Sequence, residues 1–252
     1  MIGGVVSRKY VSKTGTRTYR KKKKFKARFG NVFFLFGKRI FDIISSLLII
    51  TLVLSWLVPV LSLIIKLESP GPVFFVQTRI GFLGIPFRCY KFRTMVLNED
   101  SDLKQAAYND SRITRLGHFL RITGLDELPQ FFNVLTGTMS LVGPRPFMKK
   151  DDLAFSIVVS NYPLRYCVKP GITGMAQVKG YRGRTDNFQS IFHRYQWDAF
   201  YVRNARPALD FKILRLTTVH IIKCIFSFKT IKLQQMQRLS LLEPKLVLEK
   251  IA

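Results

Sequence analysis

The sequence predicts a mainly α protein with one small β-hairpin element, an α+β class, held monotopically on a membrane by an N-terminal, proline-broken re-entrant helix. Three observations predict it. Residues 43–65 form a charge-free apolar run interrupted by Pro59. Residues 72–95 gather aromatic and β-branched residues around a glycine-flanked turn from Gly81 to Gly84, which reads as a hairpin. Helix-spaced apolar patterns follow at 111–123, 126–137 and 186–204, separated by the glycine and proline breaks "VGPRP" and "KPGITG".

Composition narrows the partners. The 252 residues carry 41 Lys and Arg against 15 Asp and Glu, a net charge of +26, yet 48% are hydrophobic and the mean hydropathy is +0.12. Such charge attracts nucleic acid, anionic lipid or nucleotide phosphates without choosing among them, and the apolar excess favours a membrane. A nucleic-acid partner is not expected, since no reading helix or stacking platform is recognisable. Cys89, Cys167 and Cys224 are odd in number and scattered, as are His118, His193 and His220. Neither a disulfide framework nor a zinc site follows from that spacing. A reducing compartment fits, and a bound metal would take oxygen ligands.

Along the chain, residues 1–36 form a basic tail, for no acid precedes Asp42 and too little apolar surface is present to fold alone. Such a strip is either solvated or laid on anionic membrane lipids. Residues 37–66 form the membrane helix. Its 23-residue apolar run would reach roughly 35 Å as a straight helix, enough to cross a bilayer core of about 30 Å. Pro59, however, deprives the Ser55 carbonyl of its helical partner. Cations flank both ends, Lys38 and Arg39 before and Lys66, Arg79, Arg88, Lys91 and Arg93 after, so both ends prefer the cytoplasmic side. A helix broken at Ser55 to Pro59 that enters and leaves one leaflet satisfies this, with a kinked span as the alternative. Residues 67–218 are then a cytosolic or interfacial domain. Residues 219–252 begin with "VHIIKCIFSFKTIKL", either an interfacial amphipathic helix or a core-packed one.

One stretch, "GLDELPQ" at 124–130, admits two readings. Asp126 suits a helix N-cap, with Pro129 in the first turn. Alternatively Asp126 and Glu127 perform chemistry, and their company favours that: Arg112, Arg115 and Arg121 precede them, Arg145 follows, and Lys91 and Arg93 lie in "YKFRTM". Clustered guanidinium and ammonium groups suit phosphate-bearing substrates. A non-catalytic, membrane-tethered polyanion-binding protein is the rival reading.

Four stretches, "YKFRTM", "RITGLDELPQFFNVLTGTMSLVGPRP", "KPGITGMAQVKGYRG" and "DAFYVRNARPALDFKIL", closely resemble the bacterial sugar transferases, or monotopic phosphoglycosyl transferases. The resemblance runs from about Gly37 to Thr217. It implies transfer of a sugar phosphate from a UDP-sugar to a polyprenyl phosphate such as undecaprenyl phosphate, with release of UMP, at the cytoplasmic face of the bacterial inner membrane, starting a glycan. It implies Mg²⁺, with Mn²⁺ able to substitute, and leaves room for a homodimer. By the same resemblance Asp126 is the nucleophile, Glu127 assists it and both meet the metal, while Lys91, Arg121 and Arg145 bind phosphate. Arg93 joins them by charge and position, and Asp198 is a weaker candidate for nucleotide binding; Asp198, Tyr201 and Asp210 equally suit structural hydrogen bonds. Relatives usually carry Ser or Thr where Gly124 stands, and a Ser-Pro break where this chain has Val58-Pro59 with Ser55 one turn earlier.

Overall fold

The computed structural model describes residues 32–97, 110–182 and 188–226. The basic tail up to residue 31 and the C-terminal segment beyond 226 lie outside the described residues. The first element is one long apolar helix, continuous from Phe33 to Glu68. It consists of α1 (Val32–Ile49), a π-helical turn (Ile50–Leu54) and α2 (Ser55–Glu68).

The chain stays helical through Ser55 and Pro59, where the sequence suggests a break. The irregularity falls just upstream, in the π turn, where the Ser55 N–H reaches back to the Ile50 carbonyl. Ser55 Oγ donates to the Thr51 carbonyl at 2.6 Å and the Trp56 indole N–H to the Leu52 carbonyl at 3.0 Å. A proline in an apolar helix is accommodated by local π adjustment and side-chain donors that serve displaced carbonyls.

One face of this helix is buried at intervals from Asp42 to Ile65: Asp42, Ser46, Leu54, Leu61 and Ile65 are covered, whereas Leu52, Trp56, Leu63 and Leu67 on other faces are exposed. Both ends are tied to the same domain. Near the start, Lys38 Nζ lies 2.6 Å from Asp210 Oδ2, Arg39 donates to the Val134 and Leu135 carbonyls, and the Leu141 N–H donates to Asp42 Oδ1. At the end, the Leu116 N–H donates to the Glu68 carboxylate at 3.1 and 3.2 Å.

The expected hairpin follows as β1 (Phe74–Ile80) and β2 (Pro86–Phe92), antiparallel with Phe75 opposite Lys91 and Gln77 opposite Cys89. Side chains alternate across it. Phe75, Gln77, Arg79, Cys89 and Lys91 therefore share one face, while Phe74 and Phe92 stack on the other at 5.6 Å between centroids. Phe92 packs there with Leu54, Leu61, Ile65 and Leu120, joining hairpin, long apolar helix and α3 (Arg115–Thr123). Thr114 caps α3 by accepting from the Gly117 N–H at 3.0 Å, so the helix starts a few residues later than its apolar pattern.

A 3₁₀ turn (Leu125–Glu127) leads to α4 (Gln130–Leu135). Next come β3 (Ser140–Val142), α5 (Lys149–Val158), a 3₁₀ segment (Tyr162–Cys167), β4 (Gly171–Thr173), α6 (Met175–Val178), α7 (Phe188–Asn204) and α8 (Pro207–Phe226). The glycine-rich stretches that read as breaks hold a two-stranded parallel pair, β3 with β4. A Cβ on Gly171 would sit 2.0 Å from the Gly143 nitrogen, so only glycine lets these backbones meet. Val134, Met139, Val142, Tyr201, Val202 and Ile213 form the core around that pair. Residues 219–226 continue α8, with Val219, Ile222 and Ile225 exposed.

Candidate active site

α3 ends at Gly124, whose φ of 75° is left-handed, a conformation glycine adopts at little cost. The reversal starts the 3₁₀ turn that carries Asp126 and Glu127 into a cleft of about 410 Å³. Asp126 is only 7% exposed. Gly124, not Asp126, stands at the N-cap of the turn, and the charged partner of Asp126 is Lys91 Nζ, 3.8 Å from Oδ2. Burial pushes its carboxyl above the usual aspartate value; Lys91 draws it back and the neighbouring Glu127 adds to the rise.

Glu127 is held quite differently. Arg145 grips it as a fork, Nη1 to Oε2 at 3.0 Å and Nη2 to Oε1 at 2.6 Å, and Lys91 Nζ donates to Oε1 at 2.5 Å. Burial alone would push Glu127 up, but the Arg145 and Lys91 charges and their hydrogen bonds outweigh it and keep the carboxyl well below the glutamate range. Reciprocally, Glu127 raises Arg145. The two adjacent acids are thus split: one clamped and ionised, the other desolvated and unclamped. Environments that push paired groups apart assign them separate tasks.

Of the other expected residues, Arg121 lines the cleft and donates Nε to Thr94 Oγ1 at 3.0 Å. Arg93 borders the cleft, but its guanidinium donates to the Pro70 carbonyl at 2.5 Å and the Ser69 carbonyl at 2.6 Å, so it caps the end of the long apolar helix. Asp198, 1% exposed, sits behind the cleft wall and accepts from Arg165 Nε at 2.9 Å. Tyr201 OH lies 2.8 Å from Asp210 Oδ1 and 3.1 Å from the Val142 carbonyl. Those last two residues fasten α7, α8 and β3 rather than face the cleft. Ser55 and Pro59 lie in the long apolar helix and do not line the cleft.

Three cleft cations escaped the sequence reading: Arg79, Arg182 and Arg194. Arg79 was legible in principle, since two-residue alternation from Phe75 puts Gln77 and Arg79 on one face. Arg182 stands in "KGYRG". Arg194 gave no sequence signal beyond its helical spacing from Asp198. Asp126 and Glu127 put hard oxygen donors at one point of the cleft, the kind Mg²⁺ takes alongside substrate phosphates and water, although Glu127 Oε1 already accepts from Lys91 and Arg145 and Oε2 from Arg145. No group of three His, Cys, Asp or Glu side chains is poised for a metal among the described residues, so such an ion would depend on substrate oxygens.

Residues 33–224 match the family model described as bacterial sugar transferase. Over 181 residues the chain is 47% identical to the UDP-glucose:undecaprenyl-phosphate glucose-1-phosphate transferase of Escherichia coli (strain K12), covering 71% of this chain and 39% of that protein. Over 187 residues it is 44% identical to the exopolysaccharide production protein PSS of Rhizobium leguminosarum bv. phaseoli, covering 72% and 93%. Over 183 residues it is 42% identical to the UDP-N-acetylgalactosamine-undecaprenyl-phosphate N-acetylgalactosaminephosphotransferase of Aeromonas hydrophila, covering 72% and 42%. The chain spans less than half the length of the first and last of these relatives. The family model covers most of the chain and the identities are high, and these together place it: the chain belongs to the bacterial sugar transferase family.

Proposed function

We propose that the chain transfers a sugar 1-phosphate from a UDP-sugar to undecaprenyl phosphate or a similar polyprenyl phosphate, through a phosphosugar carried on Asp126. One observation carries this: Asp126 is buried in the cleft without a hydrogen bond among the described residues, while the adjacent Glu127 is pinned by Lys91 and Arg145. A carboxylate stripped of donors is a better nucleophile than a solvated one. The clamp on Glu127 leaves the Asp126–Glu127–Lys91–Arg145 group neutral, so the approach of an anionic donor is not opposed. Names of the relatives support the substrates.

In the first step an Asp126 oxygen attacks the sugar-linked phosphorus, and the bond to the bridging oxygen breaks with UMP as leaving group. Arg121 and Arg182 suit the diphosphate, for each lines the cleft and is bonded through Nε, Arg121 to Thr94 and Arg182 to the Gln177 carbonyl at 3.4 Å, which leaves the outer guanidinium nitrogens for phosphate oxygens. In the second step a polyprenyl phosphate oxygen attacks the same phosphorus, the bond to Asp126 breaks, and the carboxylate returns. Mg²⁺, held by Asp126, Glu127 and substrate oxygens, would neutralise charge on the transferring and leaving phosphates.

The membrane helix supports a monotopic placement with the cleft at headgroup depth. Both its ends are bonded to one domain, and that domain cannot stand on two sides of a bilayer. We place that side in the cytoplasm, where the flanking cations prefer to lie, with the remaining basic surface against anionic lipid.

Incubating the protein with a UDP-sugar labelled at the sugar-linked phosphate, with no acceptor present, tests the mechanism. Label should accumulate on a peptide containing Asp126 and discharge when polyprenyl phosphate is added. Absence of protein-bound label together with ordinary turnover would overturn the covalent step. An Asp126→Asn variant that still binds UDP but releases no UMP separates an enzyme from a polyanion-binding protein.

A further inference from the structure

The segment that presents Arg145 is unusual in how it is held. Arg145 stands between Pro144 and Pro146, neither of which has an N–H to anchor it. Instead three successive carbonyls are gripped from outside: Pro144 by the Gly171 N–H at 3.0 Å, Arg145 by Arg165 Nη2 at 2.5 Å and Pro146 by Arg79 Nη1 at 2.9 Å. Arg165 is 5% exposed and does not line the cleft.

Arg165 is itself heavily fixed. Its Nε donates to Asp198 Oδ2 at 2.9 Å and its Nη1 to Tyr162 OH at 2.8 Å, while Tyr162 OH donates to Asp152 Oδ1 at 3.1 Å. Tyr166 OH donates to the other Asp152 oxygen. The guanidinium also lies 4.5 Å from the centre of the Phe147 ring, two residues beyond Arg145, and the Arg194 guanidinium lies 5.4 Å from that centre. With Arg194 beside it, Arg165 balances Asp152 and Asp198 in charge, and its Nη2 is left for the Arg145 carbonyl. A planar guanidinium with donors in several directions is what gripping one carbonyl and one ring requires.

We propose that Arg165 is a positioning residue for the transfer reaction: held by Asp198 and Tyr162, it fixes the Pro144–Phe147 segment so that the Arg145 fork stays on Glu127. This deepens the reading of the acid pair given under the proposed function and rests on it for its catalytic consequence, but the geometric claim stands without turnover. It also gives Asp198 a task behind the cleft wall in place of contact with nucleotide.

Arg165→Lys keeps the charge for Asp198 and Asp152 and loses the carbonyl grip. With the arginine guanidinium nitrogens labelled, the Arg145 Nη–H groups that donate to Glu127, identified by their disappearance in Arg145→Lys, should resist solvent exchange in the native protein and lose that protection in Arg165→Lys. Protection retained in a folded Arg165→Lys overturns the proposal whatever the enzyme's activity. Asp198→Asn, which leaves an oxygen for Nε, is the gentler lever should the first variant fail to fold, and it should cause a partial loss of the same protection; full protection there also counts against the proposal. In kinetics, Arg165→Lys should lower kcat about tenfold with a smaller change in KM, and should add little to Arg145→Lys, because residues acting through one contact are not additive. Losses that multiply would show that Arg165 does not act through Arg145. A native protein that releases no UMP from any UDP-sugar would instead refute the proposed function, leaving the exchange result to judge the positioning.

Discussion

Arg145 and Glu127 meet as a two-pronged pair, at 3.0 and 2.6 Å, beside an aspartate that receives no such contact. Lysine cannot reproduce the fork. Arg145→Lys should therefore lose one charge-assisted bond, about 1.5–3 kcal/mol, or about 10- to 100-fold in kcat if the clamp is felt in the transition state. Glu127 gains stability from a depressed carboxyl, a gain fully present above the ordinary glutamate value of 4.5 and lost as pH falls through the lower folded value. The melting temperature of the variant should thus fall at neutral pH, and the gap to the native protein should narrow in strong acid.

Asp126 carries the opposite sign. Its folded pKa lies above the ordinary 3.8, so its ionised form costs stability at neutral pH, and the cost fades as pH falls through the folded value. Asp126→Asn should abolish UMP release, since an amide is no nucleophile here, and at the same time raise the melting temperature at neutral pH. Each pKa unit corresponds to about 1.4 kcal/mol, or about 3–6 °C in a chain of this size. The gain should disappear below pH 3.8, where aspartic acid is neutral in both states. A variant less stable than native at neutral pH contradicts the burial argument.

Activity should depend on a hard divalent cation. The acid pair offers oxygen donors only, and no cysteine or histidine cluster accompanies it among the described residues. EDTA should remove turnover, Mg²⁺ or Mn²⁺ should restore it, and Zn²⁺ should serve poorly. Turnover unchanged in chelator defeats the metal proposal.

How legible the site was in the sequence depended on how local its parts are. The hairpin and α7 declare themselves by period, and the acid pair by its cationic company. By contrast β3 and β4 have three residues each and pair across residues 140 and 171, so neither shows alternation, and the glycines that permit their approach read as breaks. Arg93 looked like the other cations until the fold brought the Ser69 and Pro70 carbonyls to it. Arg165, hidden among aromatic residues, had nothing in its local pattern to mark a link to Arg145. The proline at 59 was visible, but whether a helix breaks or takes up a π turn depends on the domain packed beneath it.

Gly124 offers a test of backbone rather than side chain. A Cβ there would meet nothing within 4 Å, yet φ is +75°, so substitution costs conformational energy alone. Gly124→Ala should destabilise by about 1 kcal/mol and, because the turn sets Asp126, lower kcat more than KM. Gly124→Asn, which tolerates the left-handed region better, should recover part of both. An alanine variant with native stability and activity would show that the reversal does not position the acid.

The membrane helix gives the last prediction. Lys38 bonds to Asp210 near one end and Glu68 receives the Leu116 N–H near the other, so on the monotopic proposal both ends should share one side of the bilayer whatever happens at Pro59. Single cysteines at Phe36 and Pro70, in a variant lacking Cys89, Cys167 and Cys224, should both be protected from an impermeant thiol reagent in intact cells and both react once the membrane is opened. Pro59→Leu restores a backbone donor and permits a straighter helix, but straightening would tear one docked end from the domain. That variant should therefore keep the same labelling while losing stability or activity, unlike a true span, which would gain from the missing hydrogen bond. Labelling of position 36 but not position 70 in intact cells would show the helix crossing the bilayer, and the docked ends would then be an arrangement of the isolated chain rather than of the membrane-bound protein.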